Sequence, residues 1–509
     1  ATGDADVFAQ DLIFLGQSDV DGDLAATGNF TLTGDIIVDD LNFTSTSFYD
    51  MAGFTVTALT GDIRIHAQQN IILGQLVANS GNVYLSTETG TITDGFGTEK
   101  RNIVTTGTTT LNAAAGSLSI KMWAVGSAAN ETKADDFAGT IDVSVAALAD
   151  VSAPDGVTIS IGVGNQGKFQ GVLNTAGDLV LDFGASGIDM ATDSALRAGG
   201  NVTILSDGDI TLAEVSAGRD GVFTLTTKGV VQGRTNTNGT ANITGGTIVL
   251  NVDADIGTSA QSVALDALTA SDLANGDQGQ SGTVRLVTTP ENAYLDIITA
   301  QPDGAADAPT VNLGTALDDW EIGKNLVLTA QEANLNLQGN ITGQNVSIDA
   351  KKGRLTMIDG KTVTSLGTIT LAGANGLNLS NIVGSTTDTA QQINVQSGEG
   401  NIRDITADEL ANIVTAGRVN LDGASIGTQG VGDIDLFVGV IDVTTTSENA
   451  GGATLQSLVT DGTYLDAATT TGALALTVNS GDLFVTGNAK VGGLILNLGA
   501  ISVPMNERD

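Results

Sequence analysis

The chain has 509 residues, enough for several ordinary domains, yet its 66 glycines and its Thr, Asn and Asp residues run from end to end with only five prolines. Twenty Lys and Arg against 58 Asp and Glu give a net charge of −38. That balance excludes nucleic acid as a partner, because little here could neutralise phosphates, and it disfavours an anionic membrane surface. With no cysteine, disulfides and thiolate metal sites are excluded, and 41% hydrophobic with only 4% aromatic residues point to a core of small and β-branched aliphatics.

In chain order, the alternating runs Asp11–Leu15, Phe30–Leu32 and Ile36–Val38 predict short strands. The aromatic cluster Phe43, Phe48, Tyr49 and Phe54 predicts that residues 1–55 are atypical capping coils that plug one end of a stack. From Gly61 comes the first of three near-copies, GDIRIHAQQNIILGQLVANSGNVYLSTETGTITDG, with strands at Ile63/Ile65, Ile71/Leu73, Val83/Leu85 and Ile92. Leu111, Leu118/Ile120 and Ile141/Val143 continue the pattern around an excursion from Lys121 to Gly139. The second copy, from Gly200, repeats the spacing at Val202/Ile204, Ile210/Leu212, Phe223/Leu225 and Val230.

Residues 261–310 are the least regular part of the chain. A helical turn is predicted at Ser271–Ala274, three prolines follow at Pro290, Pro302 and Pro309, and Val284/Leu286 with Leu295/Ile297 predict a small extra sheet or hairpin on the side. The third copy, from Asn325, sets Leu326/Leu328, Leu335/Leu337, Val346/Ile348 and Leu355/Met357 in the same spacing, and the idiom continues at Gly367, Gly417, Gly432, Gly472 and Gly481. Ile256-Gly257-Thr258 recurs as Ile426-Gly427-Thr428. The run Val491 to Val503 is too short to span a membrane and reads as coil strands.

The unit is Gly-[Asp/Asn/Thr/Ser]-aliphatic-x-aliphatic. Alternate aliphatics point inward with period two, Gly supplies the turn between strands, and Asn or Asp tolerates left-handed backbone. Apolar spacing of i, i+2 with Gly every ten residues or so excludes helices. The predicted fold is therefore all-β, a parallel β-helix (β-solenoid) with roughly three strands per coil and side loops or small hairpins. Its organisation is a cap over 1–55, shaft over 56–260, an irregular excursion over 261–310 and shaft again over 311–509. At roughly 20–25 residues per coil and about 4.8 Å between coils, about 20 coils give a rod on the order of 100 Å long.

The run GDI-x-I…NIILG-x-L-x-A-x-x-GNV-x-L-x-T-x-x-G-x-I-x-D from Gly61, echoed at Gly200 and Asn325 and followed by L-x-A…IGT, resembles the repeat region of filamentous-haemagglutinin-like large exoproteins. The resemblance covers most of residues 30–503. It implies a right-handed parallel β-helix, secreted to the surface of a Gram-negative bacterium and engaged in adhesion. The family's amino-terminal secretion module, with its Asn-Pro-containing motifs, is not found, and no translocator barrel follows Asp509. With Ala1 in place of an initiator Met, the expectation is a mature or excised shaft, or a processed subunit that assembles with its neighbours.

Residues suited to chemistry are few. His66, the only histidine, lies within the strand Ile63-Arg64-Ile65-His66 and reads as a side chain on one face of a coil; a Ser-His-Asp triad would have to use it. The doublets Asp39-Asp40, Asp135-Asp136 and Asp318-Asp319 are the paired acids that glycoside hydrolysis would need, but no cluster of Lys, Arg and His or of sugar-stacking aromatics accompanies them and they read as solvated turns; Trp123 and Trp320, the only tryptophans, lie in separate copies. Asp19, Asp21 and Asp23 read either as an acidic turn or as a calcium site, since alternating acids can wrap the ion; Asp253 and Asp255 are a weaker pair. No other cofactor is expected.

These readings predict a non-enzymatic extracellular protein, either an adhesive rod or a self-assembling component of a surface layer, sheath or filament. Its partner would be another copy of itself, or a protein or glycan of a host or neighbouring cell. A polysaccharide-acting enzyme on the same scaffold is the competing class, and it requires a groove lined by carboxylates and basic residues on one solenoid face.

Overall fold

The computed structural model describes residues 7–9, 12–14, 18–26, 30–32, 34–51, 53–95, 101–123, 141–144, 147–161, 167–169, 172–185, 187–237, 239–267, 282–299, 308–406, 410–428, 432–445 and 451–498. Up to residue 31 the description is of the backbone alone. The chain forms two compact units, Ala1–Gly246 and Thr247–Asp509. Each is a stack of short parallel strands, and no helix occurs among the described residues. Across those residues the chain completes about 17 turns of β-solenoid.

Three strands make a turn. In the second unit Asn325–Ala330, Asn334–Leu337 and Ile341–Gly343 form one turn, and Asn345–Ala350, Leu355–Met357 and Thr362–Ser365 form the next. Equivalent strands pair in parallel, Leu326 with Val346, Leu335 with Leu355 and Ile341 with Val363. The third strand of each turn carries the weakest apolar signal, as in Gln75–Ala78, Glu214–Ser216 and Ile341–Gly343, and the sequence spacing did not mark it. Each near-copy is thus somewhat under two turns. Within the first unit the phase also moves: the ladder that begins at Ile63–Ala67, first strand of the first copy, leads to Glu214–Ser216, third strand of the second.

Period-two alternation puts every other side chain inside. Phe43, Ile65, Leu85, Leu111, Val151 and Leu173 occupy successive rungs of one ladder in the first unit, all buried. Leu328, Ile348, Leu371, Val395, Leu421 and Val443 do the same in the second. Burying one such side chain contributes about 1.5–3 kcal/mol, so aliphatic columns are the main favourable term.

The corners explain the recurring Gly-Asx pair, and not for the reason expected from turn chemistry. Gly81, Gly177, Gly200 and Gly339 do not have positive φ, and among the described residues Asp193 is the only non-glycine that does. What these corners lack is room. A Cβ on Gly81 would lie 1.9 Å from the Gly61 carbonyl oxygen, and one on Gly339 would lie 1.8 Å from that of Asp318. The Asx side chain that follows binds the next turn instead of bending its own. Asp62 Oδ1 accepts the Asn82 N–H at 2.7 Å, and Asn82 Oδ1 accepts the Thr108 N–H at 2.8 Å. In the second unit Asn345 Nδ2 donates to Asn325 Oδ1 at 2.9 Å and Asn325 Nδ2 to Asn292 Oδ1 at 2.8 Å. A second corner device, Ser/Thr-x-Gly, closes other turns. Thr175 Oγ1 accepts the Gly177 N–H and donates to the Ala153 carbonyl at 2.6 Å, and Ser365 does the same with Gly367 and Gln344.

Positive φ does matter in the recurrent Ile-Gly-Thr. Ile256 and Ile426 are buried single-residue rungs, followed by Gly257 (φ 65°) and Gly427 (φ 64°), which turn the chain outward. Thr258 then bridges Gln261, and Thr428 bridges Gly432, each antiparallel.

Four expectations are corrected. Val284/Leu286 and Leu295/Ile297 do not form a hairpin on the side. Gly282–Leu286 and Asn292–Ile297 are parallel rungs of the second unit, paired with Thr247–Val252 and Thr310–Leu313, and with Val263–Asp266 and Asn325–Ala330. The longer turns there hid the register: Ile248 is opposite Val284. Second, the aromatic cluster does not sit at the tip of the stack. Phe43 and Tyr49 are buried with ring centroids 5.1 Å apart, and strand Ser18–Ala26 pairs with Ile36–Ser45 on the side away from Ile63–Ala67. Third, Asp19, Asp21 and Asp23 lie on that strand Ser18–Ala26, with a register shift between Val20 and Asp23, and not in a turn. Fourth, Lys121 to Trp123 belong to strand Leu118–Trp123, so any excursion starts later. The excursion itself, Ser271–Ala274 and the doublet Asp135-Asp136 lie outside the described residues.

Because the corner glycines answer to stacking distance, Gly81→Ala should destabilise the first unit by about 1–3 kcal/mol through overpacking. Gly184→Ala, where a Cβ meets nothing within 4 Å but φ is 49°, should cost less, on the order of 1 kcal/mol. Chemical denaturation of the two variants checks the order; the reverse ranking would show that φ, not contact, sets the corner.

Candidate functional site

Most residues singled out in the sequence are held in contacts that tie one turn to another. His66 points outward from strand Ile63–Ala67, with Nδ1 2.8 Å from Ser86 Oγ and Nε2 3.3 Å from Glu88 Oε1. A serine, a histidine and an acid are thus joined, but in a ladder on one sheet, where Thr44, His66 and Ser86 occupy successive rungs. Backbone N–H groups of a mid-sheet strand donate to the neighbouring rung, so this row offers no pair of amides to a developing oxyanion.

The acid doublets are likewise engaged. Asp40 Oδ1 accepts the Asp62 N–H. Asp319 Oδ1 accepts from Asn340 Nδ2 at 2.8 Å, and Asp318 takes both Nε (2.7 Å) and Nη2 (2.8 Å) of Arg285 together with the Thr315 hydroxyl at 2.9 Å. The Arg285 bond, aided by Thr315, holds the Asp318 carboxyl below the usual aspartate value against the opposing effect of burial. Asp255 Oδ1 receives the Asn292 backbone and side-chain amides, both at 3.0 Å. Trp320 is buried in the core, not displayed for a sugar. Arg418 joins Asp442 and Asp466 on later turns, and its bond is the main reason that the Asp466 carboxyl is lowered. No group of three or more metal-ligating side chains occurs among the described side chains, which do not include those of Asp19, Asp21 and Asp23.

One concave region was not marked by the sequence. On the face formed by Thr310–Leu313, Asn334–Leu337, Leu355–Met357, Leu377–Leu379 and Ile402–Asp404, an open depression of about 800 Å³ is bordered by Asn334, Asn336, Glu332, Lys352 and Arg354. A smaller one continues it past Arg354, Asn375 and Asn378 to Glu399 and Arg403. The register builds this surface: Asn312, Asn336, Thr356, Asn378 and Arg403 stand opposite one another on successive rungs. Asn336 Nδ2 donates to Asn312 Oδ1 at 2.9 Å, and Lys352 Nζ reaches Glu332 Oε1 at 2.7 Å. Among the described residues neither Arg354 nor Arg403 forms an ion pair. The nearest signal in the sequence is an arginine at an outward position in a chain so rich in acid; what joins the two is spacing of more than forty residues, which only the register reveals.

No known family model matches the chain, and neither does any curated protein or solved structure compared with it.

Asp318→Asn should reduce the stability of the second unit at neutral pH by about 1–2 kcal/mol, the charged hydrogen bonds being discounted because Arg285 is partly exposed. Since the folded-state carboxyl is lowered, the wild-type advantage is fully present above the ordinary aspartate value near pH 4 and is lost as pH falls through the lowered one. Denaturation curves of both proteins across that range check it; a difference that persisted at the acid end would assign the effect to packing.

Proposed function

We propose that this chain is a non-enzymatic structural component of a bacterial cell surface, a β-solenoid of filamentous-haemagglutinin-like design whose copies associate end to end. The reading is supported by an apolar column whose last described rung is uncovered. Ile434, Leu455, Leu476 and Leu496 lie on successive rungs of one ladder, and the first three are at most 1% exposed whereas Leu496 is 42% exposed. Leu494 and Leu498 beside it are likewise uncovered, although their partners Leu474 and Val478 are buried. No described strand pairs with the outer edge of Ala489–Leu498.

Natural edges are commonly protected by charge, but in this strand of an acid-rich chain the only charged residue is Lys490. The surface that would fit it is a parallel rung with inward aliphatics at the same spacing, which is what every coil of a second copy carries. Such a head-to-tail contact is heterologous and propagates without closing. Covering half-exposed leucines would contribute about 1 kcal/mol each, with backbone pairing added along the edge. The engagement of His66, Asp40, Asp318 and Asp319 in turn-to-turn bonds supports the non-enzymatic half of the reading. Adhesion is a second role on the same scaffold, favoured by the polar depression around Arg354.

Sedimentation and negative-stain imaging test the association. The wild-type chain is expected to form concentration-dependent linear oligomers, and Leu496→Asp is expected to leave folded monomers with unchanged circular dichroism. A wild-type chain that stays monomeric at all concentrations, or a variant that still polymerises, overturns the end-to-end reading. Turnover of an acidic or neutral polysaccharide, abolished by Glu332→Gln or Glu399→Gln, would overturn the non-enzymatic one.

A further inference from the structure

With nearly three acids for each base, most cations among the described side chains are taken up by carboxylates. Arg197 pairs with Glu214, Arg234 with Asp189, Arg285 with Asp318 and Arg418 with Asp442 and Asp466. Arg354 and Arg403, like Arg219, form no ion pair among the described residues, and these two share one depression. They flank Leu355 and Ile402, which stand two rungs apart through Leu377, a separation on the order of 10 Å. Both arginines are exposed. Arg354 is steered by its neighbours: its backbone N–H donates to Asn334 Oδ1 at 2.8 Å and its Nε reaches the Asn375 carbonyl at 3.4 Å. Two guanidinium forks are therefore presented to solvent along the stacking direction.

Between and beside them the lining is mainly carboxamide and hydroxyl, Asn336, Thr356, Asn375 and Asn378, with two carboxylates at the border: Glu332, paired with Lys352, and Glu399, so that three cations face two acids. Guanidinium forks match planar carboxylates, and a repeated row of amides and hydroxyls matches a chain of sugar hydroxyls. The row recurs at the rung spacing of about 4.8 Å, which suits an extended polymer lying across the turns. A peptide strand would seek backbone partners, and in mid-sheet those are already paired.

We propose that this depression binds a carboxylate-bearing polysaccharide, with Arg354 and Arg403 on successive acid groups and the Asn and Thr row on hydroxyls. The assignment rests on the adhesive role above and does not require end-to-end association. Lys352, paired with Glu332, borders the groove and is not assigned a carboxylate.

The test uses the full chain and polygalacturonate, with its fully methyl-esterified form and poly-glutamate as separate arms, followed by calorimetry at two salt concentrations. Polygalacturonate is expected to bind, more weakly at high salt, and each of Arg354→Gln and Arg403→Gln is expected to reduce affinity by about tenfold. Arg219→Gln, in the first unit, should leave it unchanged. The sedimentation behaviour of both groove variants should match wild type, which separates failure of this site from failure of assembly. No binding to polygalacturonate, equal binding to the ester, or binding unaffected by either groove variant would overturn the proposal. Equal or tighter binding of poly-glutamate would overturn it in favour of an acidic peptide.

Discussion

Everything in this protein depends on how closely one turn can lie on the next. Parallel strands stack about 4.8 Å apart, and at a corner, where no ladder spaces the chain, the backbones come nearer still. Gly81 and Gly339 leave no space for a methyl group against the carbonyl of the preceding turn. The same closeness lets a short side chain reach across. Asp62 and Asn82 each cap an N–H of the following turn, and Thr175 clasps a carbonyl of the turn before and an amide of its own corner. A corner is therefore held by side chains where sheet pairing lapses, and buried backbone groups stay satisfied. Glycine permits the approach, and Asx or Thr uses it.

That coupling explains which features the sequence made legible. Alternation such as Leu326/Leu328 and Val346/Ile348 is visible because a strand flanked by core and solvent must alternate, so the solenoid could be read from spacing alone. The third strand is obscure because Ala78 and Gly343 fill a narrow edge of the core with little apolar bulk. Turn chemistry accounts for Gly116 and Gly481, whose φ is positive, but misassigned Gly81 and its like, because φ is a property of one residue whereas the constraint at Gly81 comes from residue Gly61 on another turn. The rungs at Gly282–Leu286 and Asn292–Ile297 looked like a side hairpin for a related reason. Their partners are displaced by longer turns, and alternation within a strand says nothing of which strand it pairs with. The depression around Arg354 was invisible for the same cause, since Arg354 and Arg403 meet only through register.

Charge follows from this economy of contact. An aspartate whose oxygen caps the next turn is structural, however acidic the composition looks. Asp62, Asp255 and Asp319 all accept amides from a later turn. Others hold the few cations, as Asp318 holds Arg285 and Asp442 and Asp466 hold Arg418. Each of these pairs crosses between turns, so an acid-rich exterior reinforces the stack where it is paired and repels other polyanions where it is not. Against that background an arginine without a carboxylate is conspicuous, and two in one depression make a local reversal of sign.

The open rung at Leu494, Leu496 and Leu498 and the groove at Arg354 answer to different physics, although both belong to the second unit. At the rung, the last one described, what is uncovered is apolar area, which any matching coil would cover. At the groove, it is the charge on two guanidinium groups, sensitive to salt and met only by an anion of suitable spacing. If the chain both extends and binds, as proposed, these two demands need to be kept apart, because a ligand that satisfied the end would stop extension. A groove on the side of the stack, in outward positions that leave the aliphatic columns untouched, would achieve that separation. Leu355, Leu377 and Ile402 remain buried beneath the groove, so its outer row can vary without cost to the core.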